Sequence, residues 1–316
     1  MDSNCSDSEA AGKIEDMASG NGAQIFNNVF DVALIFEGGG MRNSATAPVV
    51  VELLRNQIFF DWVSGISAGS SHLVNYLSRD QVRATRSFIH LAADPKIGSW
   101  RTWRQGKGYF NSDYIYLQED DPGRIMPYNY DAFDANPARF KIGAFRADDG
   151  QNVYFSREDV TCTKDLMLRV QASSTMPMLM PTVHVDGRPY VDGAIGPSGG
   201  IPLDAAIADG FERFVVVSTR HRDYLKKPDN TAKMATRLLP EYPAVAEALA
   251  ERASNYNATK EQLFDLESEG KAYLYFPQGY LTSNSERRIP RLQRAYREGK
   301  QQIVREMPGL LDFLGL

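Results

Sequence analysis

The chain has 316 residues, a hydrophobic share of 43% and a net charge of −5, values that suit a globular protein with a sizeable buried core. The first 27 residues carry five acids against one lysine, which leaves the remaining chain near −1. Because residues 28–316 are nearly neutral, nucleic acid is not expected to be the main partner. Cys5 and Cys162 have no metal-ligand spacing, so the cysteines predict no metal site.

The chain begins with a segment of low hydrophobicity. Residues 1–27 are rich in Ser, Asp, Glu, Gly and Ala, which predicts a disordered acidic tail. This start lacks the basic and apolar regions of a signal peptide, and no stretch reaches the roughly 18 apolar residues of a membrane-spanning helix. We therefore expect a cytoplasmic protein with a single domain over residues 28–316, whose C-terminal region is helical.

Two strand–loop–helix units open the predicted domain. The apolar run at 32–36 leads through glycines into a helix at about 44–56, and the run at 58–63 leads into a helix at 68–79. Runs that are apolar on both faces are typical of central parallel strands. Two such units in series predict right-handed crossovers and a parallel sheet.

The rest of the chain alternates between hairpins, helices and short strands. Residues 100–130 are rich in aromatics and fit a lid, a substrate wall or a packed loop. Turn residues between apolar runs predict hairpins at 140–155 and 181–191, the second of which leads directly into Asp192. The remaining patterns predict helices at 163–174 with Thr163 as N-cap, 203–208, 241–268 and 285–305 with a stop at Gly299, and strands at 214–217 and 272–276.

The serine at position 67 has the setting of a nucleophile elbow. Gly65 and Gly69 flank Ser67 at minus two and plus two, between a predicted strand and a predicted helix. The tight turn strains the serine backbone and admits only small neighbours. The following helix directs its N-terminal dipole towards a developing oxyanion.

The glycine loop at 38–40, followed by Met41 and Arg42, allows three interpretations. A dinucleotide fingerprint needs a third glycine where Asn43 stands, and a phosphate-binding P-loop needs a lysine that is absent. An oxyanion hole needs only free N–H groups near a nucleophile, and the next strand supplies Ser67. The oxyanion interpretation explains both motifs with one site, although a glycine turn that only allows close helix packing stays open.

The base that activates the serine is less clear from the residues. The chain has four histidines: His72, His90, His184 and His221. His72 follows Ser67 in the same helix and should point away, whereas His221 lies in a basic patch between Arg220 and Arg222. Asp192 ends a strand, precedes Gly193 and can itself take the proton if partly desolvated. Residue chemistry favours a Ser67–Asp192 dyad slightly over a Ser-Asp-His triad.

Four motifs, in this order, resemble those of the patatin-like phospholipases in their bacterial branch. They are residues 37–42 (EGGGMR), 65–69 (GISAG), 172–177 (ASSTMP) and 192–194 (DGA). Smaller segments at 108–113 and 215–220 agree, and the likeness extends from about residue 31 to 300.

The resemblance implies a three-layer α/β/α sandwich with a central, mostly parallel sheet. It implies hydrolysis of fatty-acyl esters by phospholipase A-like chemistry, through an acyl-serine and without metal or cofactor, with Ser67 as nucleophile and Asp192 as general base and acid. Arg42 lies at the family's basic position and Gly65, Gly69 and Gly193 support the turns. The implied oxyanion hole consists of Gly38, Gly39, Gly40 and Met41.

Some residues depart from the family pattern. Glu37 stands where plant members have Asp, Asn43 where Gly is frequent, and Pro48 falls in the helix after the loop. Asn43 and Pro48 can shift the oxyanion loop, so a catalytically impaired lipid- or acyl-binding protein is an alternative function. A nucleotide-binding protein that uses the glycine loop is a third hypothesis.

A lipid substrate implies approach to a membrane surface. The helix predicted at 285–305 has a cluster of cations beside Leu292, Tyr296 and Ile303, which suits peripheral contact with anionic lipid, and its alternative is a solvated face. The cations are Arg287, Arg288, Arg291, Arg294, Arg297 and Lys300. Nothing in the sequence predicts the oligomeric state.

Overall fold

The computed structural model describes residues 25–98, 102, 104, 110–117 and 127–316. The predicted tail up to residue 24 and most of the aromatic stretch at 100–130 lie outside these residues. Asn27, which the sequence placed in the tail, is buried, and its amide donates a hydrogen bond to Asp61 Oδ1 at 3.2 Å. The packed part of the chain therefore begins before residue 28.

A mixed sheet lies at the centre of the described structure. Its strand order is β5-β6-β3-β2-β1-β7-β8, with β4 paired to β3. The strands β3, β2, β1, β7 and β8 are parallel, and β4, β5 and β6 form antiparallel pairs at the β3 side. The strands are β1 (Ala33–Phe36), β2 (Trp62–Ile66), β3 (Arg139–Arg146), β4 (Asn152–Phe155), β5 (Val183–Val185), β6 (Arg188–Asp192), β7 (Phe214–Val217) and β8 (Ala272–Tyr275).

Helices cover both faces of this sheet. They are α1 (Ala47–Arg55), α2 (Ala68–Leu77), α3 (Gln81–Ile89), α4 (Ser112–Tyr116), α5 (Tyr130–Asp134), α6 (Thr163–Ser174), α7 (Leu203–Ala208), α8 (Thr231–Leu238), α9 (Pro243–Ser268) and α10 (Ile289–Leu314). Because side chains alternate along a strand, Leu34 and Phe36 pack with α1, α2, α6 and α10, whereas Ala33 and Ile35 pack with α7 and α9. The predicted three-layer α/β/α sandwich is confirmed.

Most predicted elements are found, with shifted ends. The second strand does not start at Ile58 but covers Trp62–Ile66, so it runs directly into Ser67. The N-cap of α6 is Cys162 rather than Thr163, which is already helical. The helix α8 was not predicted. Half of its eight residues are apolar, but most of its side chains, including Met234 and Leu238, are exposed.

The predicted stop at Gly299 is wrong. Helix α10 runs through this residue from Ile289 to Leu314. A Cβ atom at Gly299 would lie 2.0 Å from the carbonyl oxygen of Ala45, so the glycine allows close packing of α10 on the chain before α1. Ile303, Met307 and Leu310 of the same helix complete the core on that face of the sheet.

No helix of the described residues combines the length and the apolarity that crossing a bilayer requires. The same part of the chain contains no group of His, Cys, Asp or Glu side chains arranged to hold a metal ion.

Candidate active site

Ser67 occupies the sharp turn between β2 and α2. Its backbone angles are φ 56° and ψ −129°, a region that residues with a side chain rarely adopt and that stores strain. A Cβ at Gly65 would lie 2.4 Å from the Gly69 oxygen, and a Cβ at Gly69 would lie 2.3 Å from the Phe36 oxygen. The turn therefore needs glycine on both sides of the serine, as the elbow pattern predicts.

The substitution Gly69→Ala is expected to lower the free energy of unfolding by about 3 kcal/mol, because the added methyl group overlaps backbone atoms that the sheet holds in place. Urea denaturation followed by circular dichroism measures this loss. Gly309→Ala is the matched control: no atom lies within 4 Å of its Cβ position in α10, so alanine should add about 1 kcal/mol there through helix propensity. Equal effects at the two glycines would contradict the steric explanation.

Asp192 ends β6 within hydrogen-bond distance of the serine. Ser67 Oγ donates to Asp192 Oδ2 at 2.7 Å, and Asp192 Oδ1 accepts from the N–H of Ala194 at 2.9 Å. The side chains are almost fully buried, with 8% of Ser67 and 6% of Asp192 exposed. Burial raises the pKa of the Asp192 carboxyl above its ordinary value, partly offset by the hydrogen bonds from Ala194 and Ser67. A carboxylate with a raised pKa is a better proton acceptor for an alcohol.

The backbone at Asp192 is positioned by its neighbours. Its N–H donates to the Thr175 oxygen at 2.7 Å. A Cβ at Gly193 would lie 2.5 Å from the Gly143 oxygen, so only glycine lets the chain turn this close to β3.

Ser173, which the sequence did not single out, positions the nucleophile. The N–H of Ser67 donates to Ser173 Oγ at 2.8 Å, and Ser173 Oγ donates to the Gly143 oxygen at 2.6 Å. This fully buried hydroxyl thus joins α6, the elbow and β3. Ser173 belongs to the motif at 172–177, but the sequence pattern alone did not show which group its hydroxyl contacts.

The glycine loop lies against the elbow. A Cβ at Gly38 would lie 3.1 Å from Ser67 Cβ. The N–H of Gly38 donates to the Gly200 oxygen at 3.0 Å and that of Met41 to the Asn284 oxygen at 2.9 Å. Within the described residues, the N–H groups of Gly39 and Gly40 have no acceptor. Of the four oxyanion donors predicted, two are therefore already hydrogen-bonded within the protein.

The residues that depart from the family pattern fit this loop. Asn43 is buried, donates to the Gly40 oxygen at 3.1 Å and accepts from Thr46 Oγ1 at 3.1 Å. Pro48 lies in the first turn of α1, where its missing N–H leaves no hydrogen bond unmade. Glu37 accepts from the N–H of Thr219 at 2.7 Å and ties the loop to the chain after β7.

The histidines lie away from the serine. His72 is buried, its Nε2 lies 3.0 Å from Thr46 Oγ1, and burial lowers its pKa to about 3. His221 Nδ1 lies 2.8 Å from the Pro277 oxygen, and His90 and His184 are exposed. None of the four, all of which the structure describes, lines the cavity that contains Ser67.

That cavity has a volume of about 560 Å³ and contains Ser67, Asp192 and the glycine loop with Arg42. Its apolar lining comes largely from α2, α3, α6 and the segment after α6. These side chains include Val74, Phe88, Met167, Val170, Met176 and Leu179. A large apolar pocket with a few converging polar groups is typical of a binding site for a mostly apolar ligand.

Comparisons with known proteins find a curated relative and a solved structure that are similar to this chain. The uncharacterized protein YjjU of Escherichia coli K12 is 27% identical over 198 residues, which cover 60% of this chain and 52% of that protein. The chain thus spans about half the length of this curated relative. The crystal structure of VipD from Legionella pneumophila aligns with a TM-score of 0.47 and 13% identity, over 88% of this chain and 67% of that one.

Two family models match different parts of the chain. A domain of unknown function, DUF6363, matches residues 242–315, and the model of the patatin-like phospholipases matches residues 34–207. The division of the chain into a tail and one domain stays a prediction. Because the second model covers more than half of the chain, the protein belongs to the patatin-like phospholipase family.

Proposed function

We propose that the protein is a serine lipid acyl hydrolase that cleaves fatty-acyl esters through an acyl-serine intermediate. The observation that carries this proposal is the 2.7 Å hydrogen bond between Ser67 Oγ and Asp192 Oδ2 in a buried site. A nucleophile and a base within hydrogen-bond distance, beside an apolar cavity, are the arrangement that acyl transfer requires.

In the proposed reaction, Asp192 takes the hydroxyl proton as Ser67 Oγ attacks the ester carbon. The negative oxygen of the tetrahedral intermediate lies near the N-terminus of α2 and accepts hydrogen bonds from the N–H groups of Gly39 and Gly40, which have no acceptor in the described part of the chain. Protonated Asp192 then donates its proton to the leaving alcohol. In the second half, Asp192 takes a proton from the water that attacks the acyl-serine. It then returns this proton to Ser67 Oγ as the bond between the acyl carbon and Oγ breaks, which releases the fatty acid and restores both residues.

The occupied donors change the role of two predicted oxyanion residues. The N–H groups of Gly38 and Met41 donate hydrogen bonds to the carbonyl oxygens of Gly200 and Asn284. We assign them to holding the loop in place, so that Gly39 and Gly40 point their donors at the substrate. A loop that is fixed before the reaction stabilises the developing charge without reorganising.

A fluorophosphonate probe tests the proposal. Covalent labelling of the intact protein on Ser67, shown by peptide mass spectrometry, is the expected result, because the probe traps an activated serine. A folded protein that stays unlabelled and hydrolyses none of a panel of fatty-acyl esters would instead favour the alternative, an acyl-binding protein of the same fold. This alternative needs testing because, of the four predicted oxyanion donors, only the N–H groups of Gly39 and Gly40 lack an acceptor among the described residues.

Contact with a membrane through the C-terminal helix has weaker support than the hydrolase activity. Arg287 donates to backbone oxygens, including that of Asp94 at 2.9 Å. Arg291 pairs with Glu286 at 3.0 Å and Arg294 with Glu298 at 2.7 Å. Three of the six cations predicted for lipid contact therefore already interact with other groups of the protein, which favours the solvated-face interpretation. Peripheral contact and a cytoplasmic location stay predictions.

A further inference from the structure

Four partly buried cationic side chains line one side of the active-site cavity, beside the exposed Lys227. They are Arg42 from the glycine loop, Arg220 and Lys226 from the segment after β7, and Arg252 from α9. We call these four residues the cationic cluster. Three separate parts of the sequence contribute to it, so only the fold brings the charges together. Within the described part of the chain, none of the four has a carboxylate within 4 Å.

The donors of the cationic cluster are mostly unused. Arg252 Nε donates a hydrogen bond to the Ala194 oxygen at 3.0 Å, and the terminal nitrogens of Arg252 have no acceptor among the described residues. Arg42 Nε is buried without an acceptor there. The guanidinium of Arg220 lies 4.1 Å from the centre of the Tyr224 ring, an arrangement that holds the side chain but leaves its N–H groups available.

The charges around the cationic cluster do not balance. Glu37 and Asp229 also line this side and interact electrostatically with Arg42 and Lys226, so two carboxylates offset the four cations only in part. Burial and the nearby charges of Arg252, Arg220 and Arg42 lower the pKa of Lys226 to about 8. Like charges gathered in a cavity repel one another, and a bound anion would relieve that repulsion.

The opposite side of the cavity is mostly apolar. Arg83 and Arg287 also line it, but they already donate hydrogen bonds to Asn75 Oδ1 and to the Asp94 oxygen. Val74, Phe88, Met167 and Val170 belong to α2, α3 and α6, which cover the other face of the sheet from α9. Ser67 lies between the two sides, at the end of β2. A substrate whose ester carbon reaches Ser67 therefore meets apolar walls in one direction and the cationic cluster in the other.

We propose that the cationic cluster is a headgroup subsite that takes a phosphate group, so that the protein prefers acyl esters with a net-negative phosphate headgroup over zwitterionic or neutral ones. The inference rests on the proposed function, and it assigns specificity to Arg220, Lys226 and Arg252. Guanidinium and ammonium groups bind phosphate through charge-assisted hydrogen bonds. A choline ammonium brought to the same place would face charges of its own sign, which disfavours that headgroup.

Short-chain lipids with identical acyl chains and different headgroups test this selectivity. We expect the wild type to have a kcat/KM for dihexanoyl phosphatidic acid about 10-fold or more above that for dihexanoyl phosphatidylcholine. The double variant Arg220→Gln/Lys226→Gln should lose most of this preference. Lys233→Gln/Arg237→Gln, at two exposed cations of α8 outside the cavity, is the matched control and should keep it. An unchanged ratio in the first variant would overturn the subsite.

A binding experiment separates this inference from the proposed hydrolysis. Inorganic phosphate is titrated by calorimetry into the wild type and both double variants, each checked for folding by circular dichroism. We expect binding that weakens about 10-fold or more only when Arg220 and Lys226 are replaced. If no ester is hydrolysed but phosphate binds in this way, the proposed function fails and the anion site stands, with free phosphate as its source. Absent or equal binding in a folded protein refutes the site, whatever the hydrolysis shows.

Discussion

Replacing Ser67 by alanine is expected to reduce ester hydrolysis by about 10⁴-fold or more, because it removes the hydroxyl that Asp192 accepts a hydrogen bond from and that forms the acyl intermediate. Fluorophosphonate labelling should disappear in the same variant. The measurement is kcat/KM for a neutral short-chain ester, with the intact mass of the protein after incubation as a second readout. Alanine keeps the same backbone strain at φ 56°, so the circular dichroism spectrum should not change.

The control for this substitution is Ser254→Ala. Ser254 is an exposed serine of α9 whose hydroxyl donates to the Glu251 oxygen at 2.7 Å. It lies outside the cavity, so turnover should equal that of the wild type. If the Ser67→Ala protein hydrolysed esters at a rate near that of the wild type, Ser67 could not be the nucleophile, and another group in the cavity would have to be sought.

Local sequence patterns were sufficient to predict the strands and the turn that position Ser67. The strand 214–217 is wholly apolar and lies in the sheet with both faces covered. The elbow followed from Gly65 and Gly69, because a two-residue spacing of glycines around a serine reflects steric demands within a single turn. Such features depend on neighbours along the chain, and the residue pattern therefore contains them.

Features that depend on contacts between distant segments could not be read in the same way. Ser173 and Ser67 are 106 positions apart, and nothing in the sequence around either serine indicates that the two are hydrogen-bonded. Gly299 had the pattern of a helix stop, but its reason for being glycine is the backbone of Ala45. Likewise, the loop glycines look equivalent in sequence. Only the fold decides that the N–H of Gly38 is hydrogen-bonded to Gly200, while the N–H of Gly39 has no acceptor among the residues that the structure describes.

The cationic cluster shows the same limit. In the sequence, Arg220 was only a neighbour of His221 in a basic patch, and Arg252 was one of many charges on a long helix. The turn of α9 that contains Arg252 lies against Ala194, two residues after Asp192, and this contact brings the arginine to the site. Charge in a cavity is a property of the assembled chain, whereas net charge near −1 is a property of the sequence.

Replacing Asp192 by asparagine is expected to lower kcat/KM by about 10³-fold or more, because the amide cannot take the proton of Ser67. The substitution preserves shape: an amide oxygen can still accept from Ala194 N–H, and the amide N–H₂ can donate to Ser67 Oγ. His221→Ala is the matched comparison, since His221 lies outside the cavity, and its turnover should stay near that of the wild type. A loss of about 10³-fold in the histidine variant would instead support a triad.

The pH dependence of activity gives a second readout for Asp192. The base acts in its ionised form, so wild-type kcat/KM should fall as the pH drops through the pKa of this carboxyl. Because burial raises that pKa, the fall should begin at a higher pH than an exposed aspartate would give. The acidic limb should be absent from the residual activity of Asp192→Asn. An unchanged limb in that variant would show that another group controls it.

The same raised pKa predicts that the base is kept at the expense of stability. A carboxyl whose pKa is higher in the folded than in the unfolded state stabilises the fold fully below its unfolded pKa, and this contribution is lost as the pH rises through its folded pKa. At neutral pH the ionised Asp192 therefore lowers the free energy of unfolding. Asp192→Asn should be at least as stable as the wild type in urea at neutral pH, and the difference should shrink in acid. A variant that is less stable at neutral pH and unchanged in acid would contradict this assignment.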